Sequence, residues 1–144
     1  MRNILLFIYG SVIFSIVSCK TEEMLKPQES FKDISGSWQI VKAVQNTRDL
    51  TADYDFSNFR IHFTENSHYE IENYVPFIVK QNGTFSLDDG QYTFQIDFNQ
   101  EGSETPVSST FDYPVIDGVR SLRLMFSPGC VDNTYIYTLK KIEP

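Results

Sequence analysis

From Trp38 onward, apolar and polar side chains alternate along the chain, and the alternation breaks at short intervals on turn-forming residues. Successive side chains of a strand point to opposite faces of a sheet, so a two-residue period marks a half-buried strand. No stretch of this region carries the 3.6-residue pattern of a long helix. The reading is all-β, with strands near 36–44, 59–64, 68–74, 83–87, 91–98, 108–113, 120–127 and 134–142. Eight strands are enough to close a barrel whose interior is either filled by side chains or holds one small ligand. The expected architecture is an eight-stranded antiparallel up-and-down barrel over residues 34–144.

Three hairpins can be registered by requiring apolar side chains to share a face, because a one-residue slip would turn all of them to water. A loop of Glu65-Asn66-Ser67 sets Phe63 opposite Tyr69 and Ile61 opposite Ile71. The same register sets His62 opposite Glu70 and Arg60 opposite Glu72, two favourable cross-strand pairs on the outer face. Asp89-Gly90 suits a two-residue type I′ turn that would place Leu87 against Tyr92 and Phe85 against Phe94. A loop from Pro128 to Asn133 sets Phe126 opposite Tyr135, Leu124 opposite Tyr137 and Leu122 opposite Leu139.

The inward face is then Trp38, Ile40, Ile61, Phe63, Tyr69, Ile71, Phe85, Leu87, Tyr92, Phe94, Ile96, Phe98, Leu122, Leu124, Phe126, Tyr135, Tyr137 and Leu139. Each contributes roughly 1.5–3 kcal/mol when fully buried. So many bulky groups predict a mostly filled barrel, with space for a ligand only near one end. Buried tyrosine hydroxyls need partners, so that end should have a polar wall.

The N-terminus has a different character. Arg2 precedes an apolar run from Ile4 to Val17, which is the layout of a secretory signal and is short for a membrane-spanning helix. The run ends in Ile16-Val17-Ser18-Cys19, which resembles the lipobox of bacterial lipoproteins. The resemblance implies a signal peptide over 1–18, acylation (palmitate among the chains) of Cys19, and attachment to the membrane through that lipid. Residues 19–33 then read as the lipidated N-terminus and a polar, Pro-containing tether. Lys20-Thr21-Glu22-Glu23 resembles the export signal of Bacteroidetes surface lipoproteins, with Thr21 interrupting it. The localisation expected is therefore the outer membrane, either at the cell surface or facing the periplasm.

Loss of Cys19 to the lipid leaves Cys130 as the sole remaining cysteine, which excludes an internal disulfide. The chain carries a net charge of −7, becoming more negative without Arg2, and has no basic cluster. Nucleic acid is not an expected partner.

Gly36-Ser37-Trp38 on the first strand, Asp49-Leu50-Thr51, Phe56-Ser57-Asn58-Phe59, Pro76-Phe77, Gly83-Thr84-Phe85-Ser86-Leu87-Asp88-Asp89 and the closing Tyr135-Ile136-Tyr137-Thr138-Leu139-Lys140-Lys141 stand behind the lipobox. With it they resemble the lipocalin-like lipoproteins of unknown function common in Bacteroidetes, over about residues 34–142. The resemblance implies a barrel whose floor is closed by Trp38. In lipocalins an Arg from a late strand packs over that Trp, whereas this chain has no Arg after Arg123 and only Lys140 and Lys141 on its last strand. The second lipocalin signature, Thr-Asp-Tyr, is also missing.

Candidate chemistry is sparse. His62 and His68 belong to the outer face and a loop edge in the registers above, so neither points to a metal site. Asp88-Asp89 beside Gly90 reads as turn chemistry. Asp53 and Asp55 lack the further oxygen ligands of a calcium loop. No nucleophile elbow or phosphate-binding glycine loop is present. The chain is expected to be a non-enzyme with no cofactor.

What remains is the long connection from Gln45 to Asn58, with Leu50, Tyr54 and Phe56, and the segment carrying Tyr74, Pro76 and Phe77. In an up-and-down barrel these meet at one end, and long loops on a rigid scaffold often carry function. Leu50, Tyr54, Phe56, Tyr74 and Phe77 are the candidate mouth residues. The expected function is binding of a small apolar or amphipathic molecule, or a glycan fragment. The alternative is a protein-interaction module of an envelope complex with a filled barrel.

Overall fold

Strand pairing runs around a closed ring in a computed structural model that describes residues 33–89 and 94–143. The strands are β1 (Gly36–Gln45), β2 (Arg48–Asp49), β3 (Arg60–Phe63), β4 (His68–Glu72), β5 (Gly83–Asp89), β6 (Phe94–Gln100), β7 (Val107–Asp112), β8 (Val115–Ile116), β9 (Val119–Phe126) and β10 (Tyr135–Ile142). Eight of them follow the order β1-β3-β4-β5-β6-β7-β9-β10, and β10 pairs back onto β1. The domain is an all-β, closed, antiparallel eight-stranded barrel, and the described residues contain no helix. The segments expected from sequence to be a signal peptide (1–18) and a lipidated N-terminus with tether (19–33), including Cys19, lie outside the described residues except for Asp33, as do Gly90 and Tyr92.

Two of the three hairpins have the expected register. Arg60, Ile61, His62 and Phe63 face Glu72, Ile71, Glu70 and Tyr69, and Phe126, Leu124 and Leu122 face Tyr135, Tyr137 and Leu139. In the first loop Ser67 takes a φ of 60°, the left-handed residue that closes three-residue hairpins.

The second hairpin differs. Leu87 faces Ile96, Phe85 faces Phe98 and Asp89 faces Phe94, four residues along from the expected pairing. Asp88 and Asp89 are therefore strand residues, and no two-residue turn is made at Asp89-Gly90. An even slip leaves every side chain on its original face, so hydrophobic alternation cannot distinguish the two registers.

A bulge in β1 redirects that strand. Ile40 pairs with Leu139 but Lys42 pairs with Thr138, so Val41 is the extra residue. Val41 and Lys42 are both exposed, and the inward set passes from Trp38 and Ile40 to Ala43. The bulge therefore places the end of β1, including Gln45, on the inner side. Along β1, β3 pairs only with Gly36–Trp38. Beyond that point the 46–59 connection folds back along β1, with Leu50 donating its amide to Ala43.

The core is aromatic and dense. Phe63 lies 5.1 Å from Phe85 and Tyr69 lies 5.2 Å from Phe98, both edge to face. Thirteen of the residues assigned inward are buried, and Ile71, Leu87, Phe94 and Tyr135 pack partly buried against them. Phe56, Phe59, Phe77, Val79 and Phe111 join this core from connections and from β7.

Trp38 is 3 % exposed, and its indole N–H donates to the Ile34 carbonyl at 2.8 Å. Its cross-strand partner Lys141 holds its ammonium 5.9 Å from the ring centroid. A lysine thus occupies the place over the tryptophan, a cation–π contact with the apolar stem covering the floor. Gly36, at φ 111°, leaves room for that stem, since a Cβ there would lie 2.7 Å from Lys141 Cε.

One hairpin outgrows the barrel. The pairing of Thr110 with Met125 through Asp112 with Arg123 continues in register to Val115 with Arg120 and Ile116 with Val119. Asp117 and Gly118 turn the tip with φ values of 51° and 77°, as a type I′ turn requires.

A candidate binding cleft at the barrel mouth

Gln45 pairs with Tyr135 where β1 ends and β10 begins, and the connections 46–59, 73–82 and 127–134 gather at this end. Between them lies an open cleft of about 320 Å³ lined by Gln45, Arg48, Leu50, Asp53, Tyr54, Tyr74, Pro76, Phe77, Ile78, Lys80, Tyr135 and Tyr137. That volume is at the lower end of the ~300–1,000 Å³ typical of small-molecule sites.

Phe77 closes the cleft from below. Its ring lies 4.8 Å from Tyr137, 5.3 Å from Phe59 and 5.7 Å from Phe126, and the side chain is buried. The 73–82 connection thus turns into the barrel and plugs it, because an apolar ring entering from Pro76 removes surface from water on every side. The plug explains why the barrel is filled: strands leave a gap at this end and a loop residue occupies it.

Polar groups form the wall. The Gln45 amide donates to the Tyr135 hydroxyl at 2.8 Å and to Asn133 Oδ1 at 3.1 Å. Tyr135 and Tyr137 stack with their planes 9° apart. The Tyr137 hydroxyl donates to the Pro76 carbonyl at 3.4 Å, and the Tyr74 hydroxyl donates to the Phe77 carbonyl at 3.3 Å. Burial, with Tyr135 and Tyr74 adding to it, pushes the Tyr137 phenol well above its ordinary pKa, so Tyr137 stays a neutral donor. Arg48 bonds Asp53 at 2.7 Å. Both are largely exposed, so the pair contributes little to stability.

Of the five mouth residues expected from sequence, Leu50, Tyr54, Tyr74 and Phe77 line this one cleft. Phe56 does not. It is 5 % exposed and borders a separate shallow depression with Ile40, Val41 and Tyr54, because the 46–59 connection runs along the flank of β1 and tucks Phe56 beneath it. Sequence reasoning missed Gln45, whose inward direction depends on the bulge, and also Lys80 and Ile78. Alternation places Tyr135 and Tyr137 inward but does not place them at the mouth.

The remaining candidates lie elsewhere. His62 Nδ1 is 2.9 Å from the Ser37 hydroxyl, and His68 Nδ1 is 2.9 Å from the Asn66 carbonyl. Among the described residues no three His, Cys, Asp or Glu side chains gather as metal ligands. Asp55 accepts from the Ser57 amide at 2.9 Å, and the Ser57 hydroxyl and amide hold its carboxyl below the usual range. Cys130 is exposed.

Residues 15–140 match a family described as Domain of unknown function (DUF5004). The chain belongs to the DUF5004 family. No curated protein and no solved structure matches it. For this DUF5004 domain the geometry gives a densely packed barrel with a tyrosine-walled cleft at its mouth.

Proposed function

We propose that the protein is a non-catalytic binding module of the cell envelope, a lipocalin-like lipoprotein held to the outer membrane by lipid on Cys19. Its cleft takes a small amphipathic molecule or a glycan fragment. The observation that carries this reading is the mouth cleft itself: an apolar base of Leu50, Phe77 and Ile78 beneath a wall of tyrosine hydroxyls, Gln45, Arg48 and Lys80. Such a site offers ring faces for stacking and fixed polar groups for orientation, the combination expected of a small-ligand pocket. Native mass spectrometry of protein extracted from membranes tests the reading. A retained small molecule that is lost in Tyr54→Ala and Tyr74→Ala variants supports it, and an empty protein that also fails to bind an amphipathic dye or oligosaccharides refutes it.

A second reading is favoured by the Phe77 plug. Because the interior is filled, Tyr54 and Tyr74, 43 % and 51 % exposed, can instead serve as contact residues for an envelope protein. Crosslinking from position 54 in intact cells separates the two, since a discrete protein adduct would favour the interaction module.

A further inference from the structure

At the floor end of the molecule, away from the cleft, the β7–β9 ladder runs on past the barrel rim. Its pairing to β10 stops at Ser121 with Lys140, and the tip beyond carries Val115, Ile116 and Val119 at 64, 41 and 54 % exposure. None of the three belongs to the core. Ile116 and Val119 are directly paired and share one face of the hairpin, whereas Val115 pairs with Arg120 on the other. A protein partner docked on one face would leave the other in water. A medium that surrounds the tip covers both.

The chain also enters the barrel at this end. Ile34 accepts the Trp38 indole N–H, Trp38 pairs with Lys141, and the neighbouring Lys140 pairs with Ser121 at the root of the hairpin. Residues 20–32 can span at most about 45 Å from Cys19. If Cys19 carries lipid, Asp33, where the chain enters this end of the barrel, stays within that distance of the bilayer surface. The tip carries one charge of each sign, Asp117 and Arg120, and the chain is acidic overall at −7, so attraction to anionic lipid is not what would hold it.

We propose that the Val115–Val119 hairpin enters the headgroup region of the zwitterionic bilayer that holds Cys19, seating the barrel floor-down with its cleft facing away from the membrane. This rests on the lipid-anchor reading above. The hairpin supplies a weak second contact beside the acyl chains, the pairing of signals by which peripheral proteins are held stably. The contact fixes orientation more than affinity.

The test uses the full chain expressed with its own signal sequence and reconstituted in phosphatidylcholine–phosphatidylethanolamine vesicles. A polarity-sensitive dye is placed either on native Cys130, at the cleft end, or at the hairpin tip through Ile116→Cys in a Cys130→Ser background. The expected result is blue-shifted emission and quenching by nitroxide lipids at the tip, no quenching at Cys130, and loss of the tip signal on adding Val119→Asp. Water-like emission from the tip of vesicle-bound protein, or equal quenching at both sites, overturns the hairpin contact and leaves the anchor standing. An N-terminal peptide without lipid on Cys19, or undiminished membrane binding of Cys19→Ala, refutes the anchor and the hairpin proposal with it.

Discussion

The ring of Phe77 meets that of Tyr137 edge to face, with centroids 4.8 Å apart, joining a loop to the last strand across the barrel interior. This contact makes the interior here a core and leaves a cleft above it. Phe77→Ala should cost about 3–5 kcal/mol, the range for buried aromatic truncations. Urea unfolding followed by Trp38 fluorescence measures the loss. The same variant should admit an apolar dye into the space beneath the cleft, since an apolar cavity of ring size stays dry and binds such molecules.

Gly36 and Lys141 meet at the floor. Gly36→Ala should destabilise the domain by about 1–3 kcal/mol, because φ of 111° is a conformation that side-chain-bearing residues rarely adopt. Adding Lys141→Ala removes the close approach of Cε but leaves the backbone strain. The double variant should therefore recover only part of the loss in a denaturation series.

Gly83 stands in ordinary extended backbone, yet a Cβ there would lie 2.0 Å from the Asn99 carbonyl oxygen. Backbone cannot swing aside as a lysine stem can. Gly83→Ala should thus reach or exceed the upper end of the ~1–3 kcal/mol typical of overpacking, and amide exchange in β5 and β6 should accelerate.

Tyr69 is buried with no hydrogen-bond partner for its hydroxyl, and burial pushes its phenol up to about 12. The unfolded chain releases this proton near the ordinary value of 10, so the contribution is complete below pH 10. It should fall as pH rises from there to about 12. Tyr69→Phe should flatten that part of an alkaline denaturation profile and be neutral or stabilising at pH 7, since it removes an unsatisfied polar group.

Much of the barrel is legible in the amino-acid order. Alternation marks Ile61, Phe63, Tyr69, Leu122, Leu124 and Leu139 as inward, and the registers it suggests for those two hairpins are the ones observed. The signal fails where physics makes it degenerate. The β5–β6 hairpin slips by four residues with no change of face. The fate of Phe56 and Phe77, both aromatic and both in connections, is set by which loop crosses the open gap in the strands.

By itself, then, the sequence determined the all-β class, the strand order and most of the core, because those follow from local periodicity and short-range turn chemistry. Only the tertiary structure decided the bulge at Val41, the inward turn of Gln45, the Phe77 plug and the place of Lys141 over Trp38. Each depends on contacts between segments far apart in the chain, where the competition for buried space is settled between whole elements rather than within one.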